Sequence, residues 1–508
     1  MKIILPLFFV CITIASVAQT PGTLDSGFGN NGKAILNNKN VEQPATALLV
    51  LPDKKIIIGG STRDFAFACL LPDGALNRSF GENGYVKTNF IVGDKPNSDS
   101  KLNSFALAAD GKILAGGKIT NRVRTDDNII IARYLSNGIL DSSFGFKGAA
   151  IADAGSLDDE CISVLIQPDK KILAVGNTNG KIFLARFSSK GKLDLSFGIN
   201  GIVLFETGSY YSEYCITAAL QKTGKIVVAS RIDQHPFSLV RFNADGQVDS
   251  SFGKKGIVID KRYNKASLYA LSMLVQNDDK IILGGYSQDN KGRRYPVLVR
   301  YLQNGNHDNT FGDTGFVSGI EKRIFFYALA QQQNNKIIAA GTQEDKYGNE
   351  DILISRYLTN GTVDSTFGTN GFTINDFHNN RERISSLAIQ NDTKIVAGIA
   401  YNFNTPAVFR YFGNEKKQLA TSALIDHSNA VNIKISPNPV ISQLLLTGLP
   451  ANEKSLLIIT DLRGNIRMQR AITSANYLWN LSQLSNGIYV LHVQVKNKEL
   501  TSINLFKE

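Results

Sequence analysis

A repeated unit constrains the fold of this chain of 508 residues more than any other feature. A Phe-Gly pair recurs seven times, 52 to 64 residues apart, inside a frame such as Leu140–Gly148. A polar turn followed by Lys-Ile recurs once after each of these pairs. The Phe residues are Phe28, Phe80, Phe144, Phe197, Phe252, Phe311 and Phe367, and the Lys residues are Lys55, Lys112, Lys171, Lys225, Lys280, Lys336 and Lys394. Seven copies therefore fill residues 22–413.

Each repeat is long enough for four short strands. In the third repeat, apolar segments separated by turn residues predict strands at Cys161–Gln167, Lys171–Gly176, Ile182–Phe187 and Gly201–Phe205. The repeats lack the 3.6-residue periodicity of helices. Seven four-stranded antiparallel units predict an all-β fold, a seven-bladed β-propeller of four-stranded blades. A β-solenoid is the alternative, although its repeats are usually shorter and its ends need caps.

An arginine followed by Tyr or Phe is the third repeated signal, and an aspartate accompanies it. The Asp stands eight residues after the Arg in five copies, whereas the first copy has Cys69 and Asn77 at these positions. A guanidinium binds a carboxylate through its planar fork of donors, so we expect each pair to be a structural staple across a turn rather than a catalytic pair. The five pairs are Arg133/Asp141, Arg186/Asp194, Arg241/Asp249, Arg300/Asp308 and Arg356/Asp364.

Two staple residues have no partner in their own repeat. Arg410 is followed by no Asp, and Asp25 is preceded by no Arg. A closed ring would bring these two together and make Lys33–Leu36 the outer strand of the last blade. If that pair is exposed, we expect it to contribute about 1 kcal/mol at most.

The repeat as a whole resembles a known family. The frame Leu-Asp-x-Ser-Phe-Gly-x-x-Gly, the Asp-Gly-Lys-Ile turns and the Ala-Arg-Tyr element resemble the delta-60 repeat of bacterial secreted proteins. The resemblance covers roughly residues 22–413. It implies a propeller-like fold and says little about a ligand, and the first repeat departs from it at Cys69 and Asn77.

A different unit begins after the repeats. Short alternating segments between residues 433 and 508 predict a small antiparallel β-sandwich, which by itself could be an ordinary accessory domain. Pro437–Pro439, Ile459–Gly464, Leu481–Val490 and the final Leu505–Lys507 resemble the type A C-terminal sorting domain of the type IX secretion system. That resemblance implies a Bacteroidetes-type bacterium, contact with the secretion machinery through residues 433–508, and a product released or attached at the cell surface.

The first residues have the pattern of a secretory signal peptide. Lys2 precedes the apolar run Ile3–Ala15, and Ser16–Ala18 is a cleavage site of small residues. We therefore expect a signal peptide at 1–18, the propeller at 19–413, a linker at 414–432 and the sorting domain at 433–508. No other apolar run is long enough to be a transmembrane segment, so we expect a secreted or surface-attached protein. The remaining Cys69, Cys161 and Cys215 fit small buried residues better than a disulfide framework.

Charge and motifs exclude several functions. The net charge of +11 is dilute, with no run of Lys or Arg longer than two, so we expect no nucleic acid partner. The motifs HExxH, GxSxG and Walker A do not occur, and none of the five His lies at metal-ligand spacing from another. We expect no cofactor and no metal, and an enzyme is the less favoured interpretation.

A ligand site is expected where the repeats differ. The loops that enter the first strand of a blade and those between its second and third strands vary widely, and loops on rigid scaffolds carry function. Their aromatic and cationic residues are candidates for binding a glycan or a protein: Tyr210, Tyr211, Arg262, Tyr263, Arg293, Arg294, Tyr295, His378 and Arg381. The sequence leaves three hypotheses open, namely a binding or scaffold propeller, a secreted polysaccharide hydrolase or lyase, and a structural envelope protein.

Overall fold

A computed structural model describes most of the chain. The described residues are 20–36, 41, 45–61, 63–90, 99–121, 126–208, 215–232, 235–260, 266–319, 323–345, 348–376, 382–401, 405–414, 433–436, 440–449, 453–461, 465–495 and 498–507. The expected signal peptide and nearly all of the expected linker lie outside them. Within these ranges the chain forms 35 β-strands, and none of its segments is an apolar helix long enough to cross a bilayer.

Residues 20–416 contain the first 28 strands. They are β1 (Lys33–Ile35), β2 (Ala45–Val50), β3 (Ile56–Ser61), β4 (Phe65–Leu70), β5 (Tyr85–Thr88), β6 (Asp99–Leu107), β7 (Ile113–Asn121), β8 (Asp126–Tyr134), β9 (Ala149–Ala152), β10 (Asp159–Ile166), β11 (Ile172–Thr178), β12 (Lys181–Phe187), β13 (Ile202–Glu206), β14 (Cys215–Leu220), β15 (Ile226–Ile232), β16 (His235–Phe242), β17 (Ile257–Ile259), β18 (Ala266–Val275), β19 (Ile281–Asp289), β20 (Arg294–Tyr301), β21 (Phe316–Ser318), β22 (Ile324–Gln331), β23 (Ile337–Glu344), β24 (Glu350–Tyr357), β25 (Phe372–Asn375), β26 (Arg383–Ile389), β27 (Ile395–Tyr401) and β28 (Thr405–Tyr411).

These strands make seven antiparallel sheets of four, the blades of a propeller. Blades 1 to 6 each use four consecutive strands, from β2–β5 to β22–β25, and blade 7 has the order β1-β28-β27-β26. The first strands of successive blades contact one another around a closed circle, since β26 of blade 7 also meets β2 of blade 1. The seven-bladed propeller predicted from the repeats is confirmed, and the predicted strands of the third repeat agree with β10–β13 to within two residues.

Apolar residues of neighbouring sheets pack face to face. The middle strands of each blade are almost entirely buried, because both of their faces are covered by adjacent blades. Between blades 7 and 1, Val396 and Val408 pack with Ile56 and Ile58, and Phe28 joins this cluster. The interface that closes the ring is therefore as apolar as the others.

The outer strand of blade 7 comes from the other end of the chain. Strand β1 pairs with β28 in the register Lys33↔Phe409 and Ile35↔Ala407. Arg410 Nε donates a hydrogen bond to Asp25 Oδ2 at 2.8 Å, across 385 residues of sequence. The two residues that lack a partner in the linear repeats thus form a staple of their own.

All three repeated sequence signals meet at the staple. In each of six blades the Arg Nε lies 2.7 to 2.8 Å from an Asp oxygen, and the guanidinium lies 4.3 to 4.9 Å above the ring of the Phe-Gly phenylalanine. The lysine of the Lys-Ile signal joins the same Asp at 2.5 to 3.1 Å. The glycine after the phenylalanine has φ near +53°, where the Cβ of any other residue would meet a carbonyl oxygen of the following strand.

Each staple also reaches into the next blade. The Nη1 of its arginine donates to a backbone carbonyl in the following blade, and Arg410 of blade 7 donates to Pro72 of blade 1. The other contacts are Arg133 to Ser189, Arg186 to Ala244, Arg241 to Gln303, Arg300 to Thr359 and Arg356 to Gly413. The staple therefore links blades as well as closing a turn.

Blade 1 has a neutral substitute for the staple. Asn77 Nδ2 donates to Cys69 Sγ at 3.7 Å, and Lys55 pairs with Asp53 at 2.8 Å.

Cys69 and Cys161 are buried free thiols, and burial raises the pKa of Cys161 to about 12. The side chain of Cys215 is not among those that the structure describes.

Residues 417–508 form a second compact unit. Its strands make a sheet of three in the order β29-β30-β33 and a sheet of four in the order β32-β31-β34-β35. Val440, Leu444, Leu457, Trp479 and Leu491 are buried together in its core. The strands are β29 (Lys434–Ser436), β30 (Gln443–Thr447), β31 (Ser455–Asp461), β32 (Ile466–Ile472), β33 (Tyr477–Asn480), β34 (Gly487–Val495) and β35 (Lys498–Lys507).

The closing staple is buried, so its loss should cost more than the value expected for an exposed pair. The side chains of Arg410 and Asp25 are 6% and 5% exposed. Asp25→Asn leaves Arg410 and Lys394 without a carboxylate, which should lower the free energy of unfolding of the propeller by about 3 kcal/mol or more. The measurement is the calorimetric unfolding transition. Asp53→Asn, in an exposed pair with Lys55, is the control and should cost less than about 1 kcal/mol; equal effects would contradict the closure role.

The staples should also make the propeller sensitive to acid. Burial raises the pKa of Asp308, but the Thr310 hydroxyl and Lys280 lower it more, to about 2, and the pKa of Asp364 is likewise about 2. Because these values lie below the unfolded value of about 3.9, the stabilisation is complete above that pH and is lost as pH falls toward 2. Melting temperatures should therefore drop steeply between about pH 4 and pH 2. A flat profile in that interval would contradict this role of the aspartates.

Candidate ligand-binding surface

The two faces of the propeller have different sequences. One, the repeat face, carries the turns between the first and second strands and the connections from the third strand to the fourth, with their staples. The other, the variable face, carries the loops that enter each first strand and those between the second and third strands. The loops 288–295 and 207–213 of the variable face share no pattern, so this face is where one propeller of this kind can differ from another.

Three of the nine predicted ligand residues lie in the described part of the chain. Arg293 is exposed and tied to Asp289 by an ion pair of 2.6 Å, which closes the hairpin between β19 and β20. Arg294 begins β20, and Tyr295 pairs with Ser287 in the same hairpin. Tyr210, Tyr211, Arg262, Tyr263, His378 and Arg381 lie outside the described residues.

One position of the repeat marks the rim of the variable face. In blades 2, 3, 5, 6 and 7, the residue eleven places before the repeat lysine lies near the start of the first strand, at the end next to the variable loops. Its described occupants are Lys101, Glu160, Tyr269, Phe325 and Arg383. Unlike the staple positions, this one changes chemistry from blade to blade. Lys101 and Glu160 form an ion pair of 2.7 Å between blades 2 and 3, while blades 5 to 7 carry two aromatic residues and an arginine.

The aromatic residues of blades 5 and 6 form a continuous cluster. Tyr269 stacks on its cross-strand partner Tyr286 with the ring centroids 4.7 Å apart and an angle of 12°. Phe325 of blade 6 meets Tyr286 edge-on at 5.1 Å, and Tyr327 lies parallel to Phe325 at 6.2 Å. Phe325 is buried, whereas Tyr269, Tyr286 and Tyr327 are partly exposed. The cluster therefore presents tyrosine rings whose orientation is fixed by both blades.

Two arginines lie over these rings. Arg294 is 5.5 Å from the centroids of both Tyr286 and Phe325, and Arg383 of blade 7 is 5.5 Å from that of Tyr327. Arg383 also forms an ion pair with Glu350 at 2.8 Å. Burial raises the pKa of Tyr286, and the nearby Arg294 opposes the shift. The hydroxyl of Tyr286 is therefore protonated at neutral pH and can donate a hydrogen bond.

We call Tyr269, Tyr286, Phe325, Tyr327 and Arg294 the aromatic–arginine cluster. Of its members, only Arg294 was among the residues predicted from the sequence. Loop composition could not identify the others, because they lie inside strands whose apolar pattern matches that of the core. The available signal was the comparison of repeat copies, in which Tyr269 and Phe325 occupy a position that is charged in blades 2, 3 and 7.

A buried carboxyl group, that of Glu382, precedes Arg383 in the chain. Glu382 is fully buried, and neither of its carboxyl oxygens has a hydrogen-bond partner in the described structure. Burial raises the pKa of Glu382 to about 7, and the carboxylates of Asp351 and Asp376 add to the shift. The described residues include no group of three His, Cys, Asp or Glu placed to hold a metal ion.

A cavity of about 570 Å³ opens on the repeat face between blades 5 and 6. Its charged walls include Lys280 and Arg300, and both pair with the staple carboxylate Asp308 at 3.1 and 2.8 Å. These cations are already neutralised, so the cavity belongs to the structural staple and not to the candidate site.

Two family models match the chain. A domain of unknown function, the DUF5122 beta-propeller, matches residues 51–80, 108–144, 167–197, 221–252, 276–311 and 332–367, and a secretion system C-terminal sorting domain matches residues 434–505. The chain carries a DUF5122 propeller followed by a type IX sorting domain. Each DUF5122 segment begins at the turn before a repeat lysine and ends on the next Phe-Gly phenylalanine, so it spans the staple positions of one blade. The sorting domain makes the protein a type IX secretion product, located at the cell surface or outside the cell.

Several solved structures are similar to this chain at low sequence identity. Virginiamycin B lyase from Staphylococcus aureus is 12% identical, with a TM-score of 0.46 over 74% of this chain and 98% of that one. PorZ, a surface component of the type IX secretion system of Porphyromonas gingivalis, is 12% identical, with a TM-score of 0.34 over 89% of this chain and 64% of that one. A PL25 ulvan lyase is 10% identical, with a TM-score of 0.41 over 73% and 94%. No curated protein matches the sequence.

The buried carboxyl of the DUF5122 propeller should give it a second pH dependence. The folded pKa of Glu382, about 7, exceeds the unfolded value of about 4.3, so its ionisation destabilises the fold as pH rises through 7. Glu382→Gln should therefore raise the melting temperature at pH 8 and leave it unchanged or lower at pH 5. The exposed Glu82→Gln should shift neither value. A Glu382→Gln protein that is less stable than the native one at pH 8 would contradict this assignment.

Proposed function

We propose that the DUF5122 propeller is a binding module displayed outside the cell, with its ligand site at the aromatic–arginine cluster of the variable face. The observation that carries this proposal is the cluster itself. Partly exposed tyrosine rings and an arginine are held together across two blades, on the face whose loops differ between repeats. Aromatic and arginine side chains supply most of the energy in recognition surfaces.

The contrast with the staples supports this assignment. The repeated Arg, Lys and Asp residues neutralise one another and link the blades, so their chemistry is used within the fold. Tyr269, Tyr286 and Arg294 belong to no staple, and blades 2, 3 and 7 hold charged residues at the position of Tyr269. A position that varies while the scaffold repeats is suited to a role in binding.

The carboxylates nearby favour binding over hydrolysis. Glycosidic hydrolysis requires two carboxyl groups facing the substrate at a defined separation. Glu350 is held in an ion pair by Arg383, and Glu382 is buried. Neither is placed to act on a ligand at the cluster, so a binding module is preferred over the alternative of a polysaccharide hydrolase.

The test is a binding comparison with the full-length secreted chain. The native protein is applied to a glycan array and to washed cell envelopes, together with the double variant Tyr269→Ala/Tyr286→Ala. We expect at least a 10-fold loss of binding in the variant, because truncation of aromatic anchors commonly costs more than 1.4 kcal/mol. The control is Phe146→Ala, which removes an aromatic ring that is 77% exposed on the repeat face.

Three results would count against the proposal. The variant could bind as well as the native chain, the control could lose binding to the same degree, or the native chain could bind no glycan while remaining in washed envelopes. The last result would favour a structural envelope protein. Release of reducing ends from a bound glycan would instead favour an enzyme.

A further inference from the structure

Arg294 differs from two neighbouring arginines, Arg293 and Arg383. Its neighbour Arg293 is paired with Asp289, and Arg383 is paired with Glu350. The guanidinium of Arg294 has contacts with the Tyr286 and Phe325 rings, but no hydrogen bond or ion pair with any described side chain. A guanidinium presents five N–H donors in a planar fork. The Arg294 guanidinium can therefore donate two hydrogen bonds to an anion with two oxygens.

The position of Arg294 is fixed by the backbone of the next blade. Arg323 N donates a hydrogen bond to Arg294 O at 2.8 Å, and Gly319 N donates to Pro296 O at 3.0 Å. The first residues of β20 are therefore tied to the loop that leads into β22. An arginine held on two aromatic rings loses less freedom on binding than one on a flexible loop.

Beside this cation lies the tyrosine platform, the stacked and partly exposed rings of Tyr269 and Tyr286. Tyr269 and Tyr286 are stacked within 12° of parallel and partly exposed, so their rings share one orientation. The face of an aromatic ring carries negative quadrupole charge and attracts the slightly positive C–H groups of a flat ligand. A pyranose ring presents such C–H groups on one face.

These features together point to one ligand chemistry. Resting on the binding role proposed above, we infer that the aromatic–arginine cluster binds a uronic acid unit of an acidic polysaccharide, with its carboxylate on the Arg294 guanidinium and its sugar ring on the tyrosine platform. A carboxylate accepts two parallel hydrogen bonds from one guanidinium.

A nucleic acid fits the same surface less well. A strand of DNA or RNA carries a phosphate at every nucleotide and is bound by a groove of several cations. Next to the cluster, Arg383 is already neutralised by Glu350, and the chain contains no run of basic residues longer than two. One available arginine beside the stacked tyrosines matches a single uronate unit, whose carboxylate is attached directly to the sugar ring.

The experiment measures binding of the full-length chain to soluble polymers. The probes are polygalacturonate, alginate and hyaluronan, which combine a carboxylate with a sugar ring. Methyl-esterified polygalacturonate keeps the ring without the charge, polyglutamate keeps the charge without the ring, and single-stranded DNA represents the nucleic acid. We expect binding to at least one uronate polymer and at least 10-fold weaker binding to the other three probes.

Variants locate the effect at Arg294. Arg294→Ala should weaken binding of the uronate polymer about 10-fold or more, because it removes charge-assisted hydrogen bonds. Arg294→Lys should recover only part of the loss, since an ammonium group cannot form the two parallel bonds. Arg63→Ala is the matched control, an exposed arginine between β3 and β4 of blade 1, and should bind like the native chain. Circular dichroism and melting temperature verify that each variant is folded.

Several outcomes would overturn the inference. Equal binding of polyglutamate or DNA would show that charge alone is recognised, and equal loss in Arg63→Ala would show a general electrostatic effect. Failure of every uronate polymer to bind would also reject it. Binding of neutral glycans that depends on Tyr269 and Tyr286 but not on Arg294 would reject the uronate and leave the proposed binding function intact.

Discussion

The propeller depends on one buried electrostatic unit, a carboxylate held between an arginine and a lysine. In blade 5, Asp308 receives Arg300 from its own third strand and Lys280 from the turn between its first two strands. The same arginine lies over Phe311 and donates to Thr359 of the next blade. A buried ion pair stabilises only when its remaining hydrogen bonds are satisfied. Here those bonds are made, so each staple fixes one turn and joins two blades.

Ring closure follows from the same unit. The seventh blade takes Lys394 and Arg410 from its own strands, but its carboxylate is Asp25, from the start of the described chain. Strand β1 then covers the edge of β28, which would otherwise present unpaired backbone groups. Because the blades contact each other in a closed circle, the last interface lets every blade bury both faces of its sheet.

The faces of the ring divide two tasks. On the repeat face, the staple residues of six blades neutralise one another, and even the cavity between blades 5 and 6 is lined by staple cations. On the variable face, the position eleven residues before the repeat lysine changes from Lys101 to Glu160, Tyr269 and Arg383. A scaffold that is stabilised on its repeat face can tolerate such changes on its variable face. The aromatic–arginine cluster combines partly exposed tyrosine rings with an arginine that pairs with no described side chain.

Sequence alone determined the blade number, the strand pattern and the Arg–Asp pair of each staple, because these features recur at regular intervals along the chain. It also determined the sorting domain, whose motifs follow one another in the family's order. Even the contact between Arg410 and Asp25 could be predicted, since each lacks a partner that the other repeats possess. Three things required the tertiary structure. The closing pair is buried, so the small energy expected of an exposed pair does not apply to it. The repeat lysine is part of the staple, and this could not be predicted because it lies far from the staple aspartate along the chain. The candidate site is formed by Tyr269, Tyr286 and Phe325 from separate strands and blades, and only packing of one sheet against the next brings such residues into contact.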